Sequence, residues 1–88
     1  MALVWVPTDM RKFTGGQHKV TVKSGETLRD LMDNLEKKYP GIRGMVVHDQ
    51  LIKAEIAVFV DGENIHQGLF QPVRENSEIH FLPMQEGG

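Results

Sequence analysis

The sequence predicts an α+β domain in which one sheet carries a single helix on one face. Three observations carry this. Apolar runs at residues 2 to 6, 18 to 23, 55 to 60 and 78 to 82 read as strands. Leu28, Leu31, Met32, Leu35 and Tyr39 form one stripe at helical spacing. Turn residues at Gly15-Gly16, Pro40-Gly41 and Asp61-Gly62 separate these segments. At 88 residues, 40% hydrophobic and 25% charged, the chain has the composition of one small globular domain with one core.

The first strand, residues 2 to 6, puts Ala2, Val4 and Val6 on one face and Leu3 and Trp5 on the other. Residues 7 to 13 show no clean period and lead into the Thr14-Gly15-Gly16-Gln17 turn. Residues 18 to 23 alternate, with Val20 and Val22 inward. Thr27 and Asp30 have the spacing of a capping box, which starts the helix, and Pro40-Gly41 ends it. Residues 42 to 55, with an apolar patch at Met45-Val46-Val47, are left open between a helical turn and a loop. The third strand, 55 to 60, runs into Asp61-Gly62, a hairpin signal, with Asn64-Ile65-His66 as a short returning strand. Residues 67 to 73 read as an irregular crossover whose apolar side chains plug the edge of the core. Residues 74 to 77 make a turn, and the last strand ends at Leu82 because Pro83 stops it. The domain therefore spans 1–83, and 84–88 is expected to be a flexible tail.

Composition narrows function by exclusion. A net charge of −2 supplies no basic field for nucleic acid or an anionic membrane surface. The chain has no cysteine, so disulfides, thiolate catalysis and Cys-based zinc sites are absent. His18, His48, His66 and His80 are too widely spaced to suggest a metal site. Asp61 and Glu63 sit in a turn, where solvated carboxylates are usual, and Ser24 and Ser77 lie in no nucleophile motif. The opening apolar run is too short for a signal-peptide core or a membrane span, so a cytoplasmic protein is expected.

What remains is the end of the chain. Met84-Gln85-Glu86-Gly87-Gly88 is a short tail, polar after Met84, whose reactive group is the Gly88 α-carboxylate. Two glycines leave no side chain to block a narrow channel and permit backbone angles that other residues avoid. A frayed terminus is the plain alternative.

The order and spacing of these elements resemble the β-grasp fold of ubiquitin, a mixed sheet of four to five strands with one main helix. The segments VPTDMRKFTGGQ, SGETLRDLMDNLEKKYPG, VFVDGENIHQGL and ENSEIHFLPMQEGG carry a closer resemblance. Over nearly the whole chain they are similar to the MoaD/ThiS sulfur-carrier family, and within it to the CysO-like carriers of thiocarboxylate-dependent cysteine biosynthesis. That resemblance implies a protein substrate, not an enzyme, with no catalytic residues and no cofactor of its own. A MoeB/ThiF-like adenylating enzyme would use ATP to activate Gly88, and a sulfur donor, sulfide or a rhodanese-like protein, would leave a thiocarboxylate there. A cysteine-synthase-like pyridoxal-phosphate enzyme would accept the sulfur, and a metalloprotease acting on the tail is a further candidate partner. The alternatives are a ubiquitin-like modifier joined through Gly88 to lysines, and the small subunit of molybdopterin synthase.

Fixing five tail residues in a partner costs about 1–2 kcal/mol each, so a docking patch on the folded body is expected as well. In the β-grasp order Val4, Val6, Val58, Val60, Ile79 and Phe81 face the helix, and Trp5, Phe59 and Leu82 become contiguous on the opposite face. Burying those three contributes about 1.5–3 kcal/mol each, enough to offset the tail. The partner-binding set expected is thus Trp5, Phe59, Leu82, Pro83, Met84, Gln85 and Glu86, with Gly87 and Gly88 as the site of adenylation. Burial of the patch by residues 42 to 55, or by Met1 and Leu3, is the alternative. The chain is expected to be a monomer or a weak dimer.

Overall fold

The computed structural model describes residues 1–84. Seven strands and one α-helix follow in chain order: β1 (Ala2–Trp5), β2 (Lys19–Val22), α1 (Leu28–Lys38), β3 (Val47–His48), β4 (Leu51–Ile52), β5 (Ile56–Val60), β6 (Glu63–Asn64) and β7 (Glu78–Pro83). Five of the strands form one sheet in the order β2-β1-β7-β5-β6, and β3 and β4 form a separate hairpin. β1 runs parallel to β7, while the β1–β2, β5–β7 and β5–β6 pairs are antiparallel. This is the ubiquitin-like β-grasp arrangement, with the last strand at the centre of the sheet.

The helix begins where the sequence says it should. Asp30 N–H donates to Thr27 Oγ1 (3.4 Å), and the Asp30 carboxylate accepts from the backbone N–H groups of Glu26 (2.9 Å) and Thr27 (3.3 Å). Those N–H bonds, Glu26 first and Thr27 next, hold the Asp30 carboxyl below its ordinary value. Leu28, Leu31, Met32 and Leu35 are fully buried against Ala2, Val4, Val58 and Ile79 on the inner face of the sheet. Each contributes about 1.5–3 kcal/mol by leaving water. At the far end Tyr39 is half-buried as the C-cap. Gly41, at φ 99°, turns the chain beneath Phe13, whose ring would stand 2.6 Å from any Cβ there.

Two segments left without an assigned element are settled, and two others differ from expectation. Residues 8–13 wind into a 3-10 helix that buries Met10, and Thr14 behind it is 2% exposed, with its hydroxyl donating to Gln17 O at 3.0 Å. Residues 42 to 55 contain a 3-10 turn (Arg43–Met45) and the β3–β4 hairpin, whose turn residues Asp49 and Gln50 both take positive φ. β6 lies at Glu63–Asn64 instead of 64 to 66, because Asp61 (φ 53°) and Gly62 (φ 85°) form a two-residue turn that leaves no gap before pairing resumes. In the crossover Leu69 and Val73 close the core, but Phe70 is 75% exposed on its short 3-10 turn.

Candidate functional site

β7 presents the site, and its first residues are fastened from both sides. Ser77, 3% exposed, donates its hydroxyl to Asp61 Oδ2 (2.9 Å) and accepts from Arg74 N–H (3.0 Å). Asp61 Oδ1 accepts from Glu78 N–H (2.9 Å), and Asp61 N–H donates to Glu78 O (2.8 Å). On the opposite edge Leu3 N–H donates to Ser77 O (2.9 Å). The Asp61 carboxylate, read from sequence as a solvated turn residue, is therefore the clip that joins the β5–β6 turn to β7.

Along β7, Ile79 and Phe81 point into the core, so Glu78, His80 and Leu82 share the outer face. The pairings Lys19↔Trp5, Trp5↔His80, His80↔Phe59 and Phe59↔Asn64 lay one row of side chains straight across the sheet. Leu82, paired with Ala57, begins the next row and is 49% exposed. Trp5 and Phe59 are half-buried. The structure thus brings together the three predicted patch residues, with His80 at their centre.

His80 was missed because a polar letter in an alternating strand reads as solvent. Its ring stacks on Trp5 at 5.4 Å between centroids and 10° between planes. Trp5 is fixed further by its indole N–H, which donates to Glu78 Oε1 (3.0 Å), and by Lys19 Nζ at 5.5 Å from the ring centroid. A ring held on several sides loses little freedom on docking, and that favours binding. Beside it lies a shallow open hollow of about 450 Å³, lined by Trp5, Pro7, Arg11, His18, His80 and Leu82 among others.

The last residues of β7 are held differently. Pairing with β1 stops at Trp5↔His80, whereas pairing with β5 continues to Ile56↔Pro83. Past the proline, Met84 N–H donates to Glu55 O at 2.6 Å, and the side chain remains 50% exposed. Pro83 is exposed and ends the strand. Gln85, Glu86, Gly87 and Gly88 lie outside the described residues. Among the described residues there is no group of three or more His, Cys, Asp or Glu side chains placed to hold a metal ion. No helix among them is long and apolar enough to cross a membrane.

The model of the ThiS family matches residues 4–88. Among solved structures, a chain of the Amycolatopsis orientalis BexX/CysO complex is 30% identical, with a TM-score of 0.91 and 100% of each chain covered. Mycobacterium tuberculosis CysO, described as an antigen, is 27% identical with a TM-score of 0.88, covering 97% of this chain and 100% of that one. The small archaeal modifier protein 1 of Methanosarcina acetivorans, at 24% identity and a TM-score of 0.79, covers 99% of this chain and 95% of its own and shares the fold. No curated protein sequence matches the chain at a significant level.

Proposed function

The chain belongs to the ThiS family of ubiquitin-like sulfur carriers, and from that premise we propose that its Gly88 carboxylate is the point of sulfur loading. The observation that carries this is the Gly87-Gly88 end on a chain that holds no cysteine. A cysteine-free sulfur carrier needs another atom to bear the sulfur, and the terminal acyl carbon belongs to the second of two residues without side chains. An adenylating partner joins a Gly88 carboxylate oxygen to the α-phosphorus of ATP and releases pyrophosphate. The sulfur of sulfide then attacks the acyl carbon and AMP leaves, so the product is a thiocarboxylate. With a persulfide donor the first product is an acyl disulfide, which a second thiol cleaves to the thiocarboxylate while itself forming a disulfide with the donor. The thiocarboxylate sulfur is nucleophilic without an added base. The protein is the substrate and carrier in these steps, and the acceptor is an enzyme of cysteine-type sulfur biosynthesis.

The Trp5, Phe59 and Leu82 patch, with His80, is the handle by which a partner grips the folded body, and the reading places the chain in the cytoplasm, where ATP is at hand. A relative at 30% identity is found in a complex with the protein named BexX, which supports docking of this fold onto a partner. The test is to incubate the chain with the adenylating enzymes of its host, ATP and sulfide, and to weigh it intact. The expected result is a gain equal to the exchange of one oxygen for one sulfur, localised to Gly88. A chain that gains nothing with every such enzyme contradicts the reading.

A further inference from the structure

At the root of the tail, on the other side of Pro83 from the row of outer-face rings, is a cleft of about 330 Å³. Three methionines from separate parts of the chain line it, Met10, Met45 and Met84, together with Pro7, Ile56 and Pro83. Met10 is 3% exposed and forms part of the core, Met45 is packed against the core, and Met84 is half open to solvent. Asp9, Lys53 and Glu55 also line it and give the opening a net negative charge. The hydrogen bond from Met84 N–H to Glu55 O sets the backbone of Met84 on the wall of this cleft.

Resting on the sulfur-carrier reading above, we propose that this cleft receives one large apolar side chain of the activating enzyme, at the point where the tail enters it. Four residues follow Met84, and at no more than 3.6 Å per residue they carry the Gly88 carboxylate at most about 14 Å from it. An enzyme that holds that carboxylate in an interior site must lay its entrance over the surface on which Met84 stands. Gln85, Glu86, Gly87 and Gly88 carry no apolar side chain of the kind such a cleft takes. Glu86 and the Gly88 carboxylate also carry the same sign of charge as Asp9 and Glu55. A second copy of the chain is a poor occupant, since a two-fold contact at this point sets one concave cleft against another. Methionine walls adapt to the shape of what enters them, so a Leu, Met or aromatic side chain fits, and a basic neighbour beside it complements the acidic opening.

The experiment measures KM and kcat for adenylation by the enzyme that charges the wild-type chain. The variants are Met84→Glu, Met45→Glu and Met84→Leu, with Phe70→Ser as an exposed apolar control outside the cleft. Thermal unfolding is recorded for each. The expected result is a KM raised about tenfold or more by each glutamate and within about threefold of wild type for Met84→Leu, with kcat retained because the reacting carboxylate is untouched. If Met45→Glu does not fold, the exposed Met84 decides alone. A Met84→Glu chain with wild-type KM overturns the proposal, as does loss of affinity in Met84→Leu equal to that in Met84→Glu. A concentration-dependent dimer abolished by Met84→Glu overturns it in favour of a second copy. Failure of every enzyme to charge the wild type instead removes the underlying reading, so the two failures are distinguishable.

Discussion

At its first residues β7 is fastened on both edges, by the Asp61 carboxylate and the buried Ser77 hydroxyl on one side and by Leu3 N–H on the other. At its last residues it is held on one edge only, by β5 and by the bond from Met84 to Glu55. The first end has polar groups satisfied within the fold, and the second leaves Leu82, Pro83 and Met84 exposed. One six-residue strand therefore joins a rigid anchor to a presenting end. A free edge invites strand addition, and Pro83, which has no N–H, stands where pairing with β1 has run out. The difference suggests a division of labour in which stability resides at the start of the strand and recognition at its end.

Substitutions that act on one end and not the other sharpen this contrast. Ile79→Ala empties a fully buried position beside Val4 and Val60, and urea unfolding should show a loss of about 2–5 kcal/mol. Trp5→Ala removes the half-buried ring that His80 stacks on. It should weaken partner binding by about 1.5–3 kcal/mol, on the order of tenfold or more, which titration calorimetry with the activating enzyme would read. Asp61→Ala strips the clip from Ser77 Oγ and Glu78 N–H, and a stability loss of about 1–3 kcal/mol is expected with KM unchanged. If Asp61→Ala altered KM while Trp5→Ala altered only stability, the division would be reversed.

The smallest effect concerns the helix cap. Asp30 is held below its ordinary value near 3.8 by the N–H groups of Glu26 and Thr27. A carboxyl depressed in the folded state contributes stability above its unfolded pKa and loses that contribution as pH falls through the lower folded value. The cap is thus constant through neutral pH and fades only below about pH 4. Urea midpoints from pH 6 to pH 2 should show this acid limb in the wild type and a weaker one in Asp30→Asn.

Much of the fold was legible because its signals are local. The Thr27 and Asp30 spacing and the Leu28 to Leu35 stripe describe α1 within one short segment, and Asp61-Gly62 marks its own turn. The β3–β4 hairpin was not legible, since its turn uses Asp49 and Gln50 in positive φ without a glycine. Nor was the 3-10 helix over Thr8–Phe13, whose period of three matches neither pattern sought. For the candidate site, alternation along β1, β5 and β7 gave the face on which Trp5, Phe59 and Leu82 stand. The place of His80 between Trp5 and Phe59 depends on register across three strands, which residue order along one strand does not contain. The methionine cleft is assembled from residues 10, 45 and 84 and has no sequence signature at all.

In this division of labour the folded body serves as the grip and the terminal carboxyl as the carrier of sulfur. The decisive variant is a chain ending at Glu86, assayed in parallel for unfolding midpoint and for sulfur loading. The expected outcome is an unchanged midpoint and no loading. Loading of the shortened chain, or a fall in its midpoint, would contradict it.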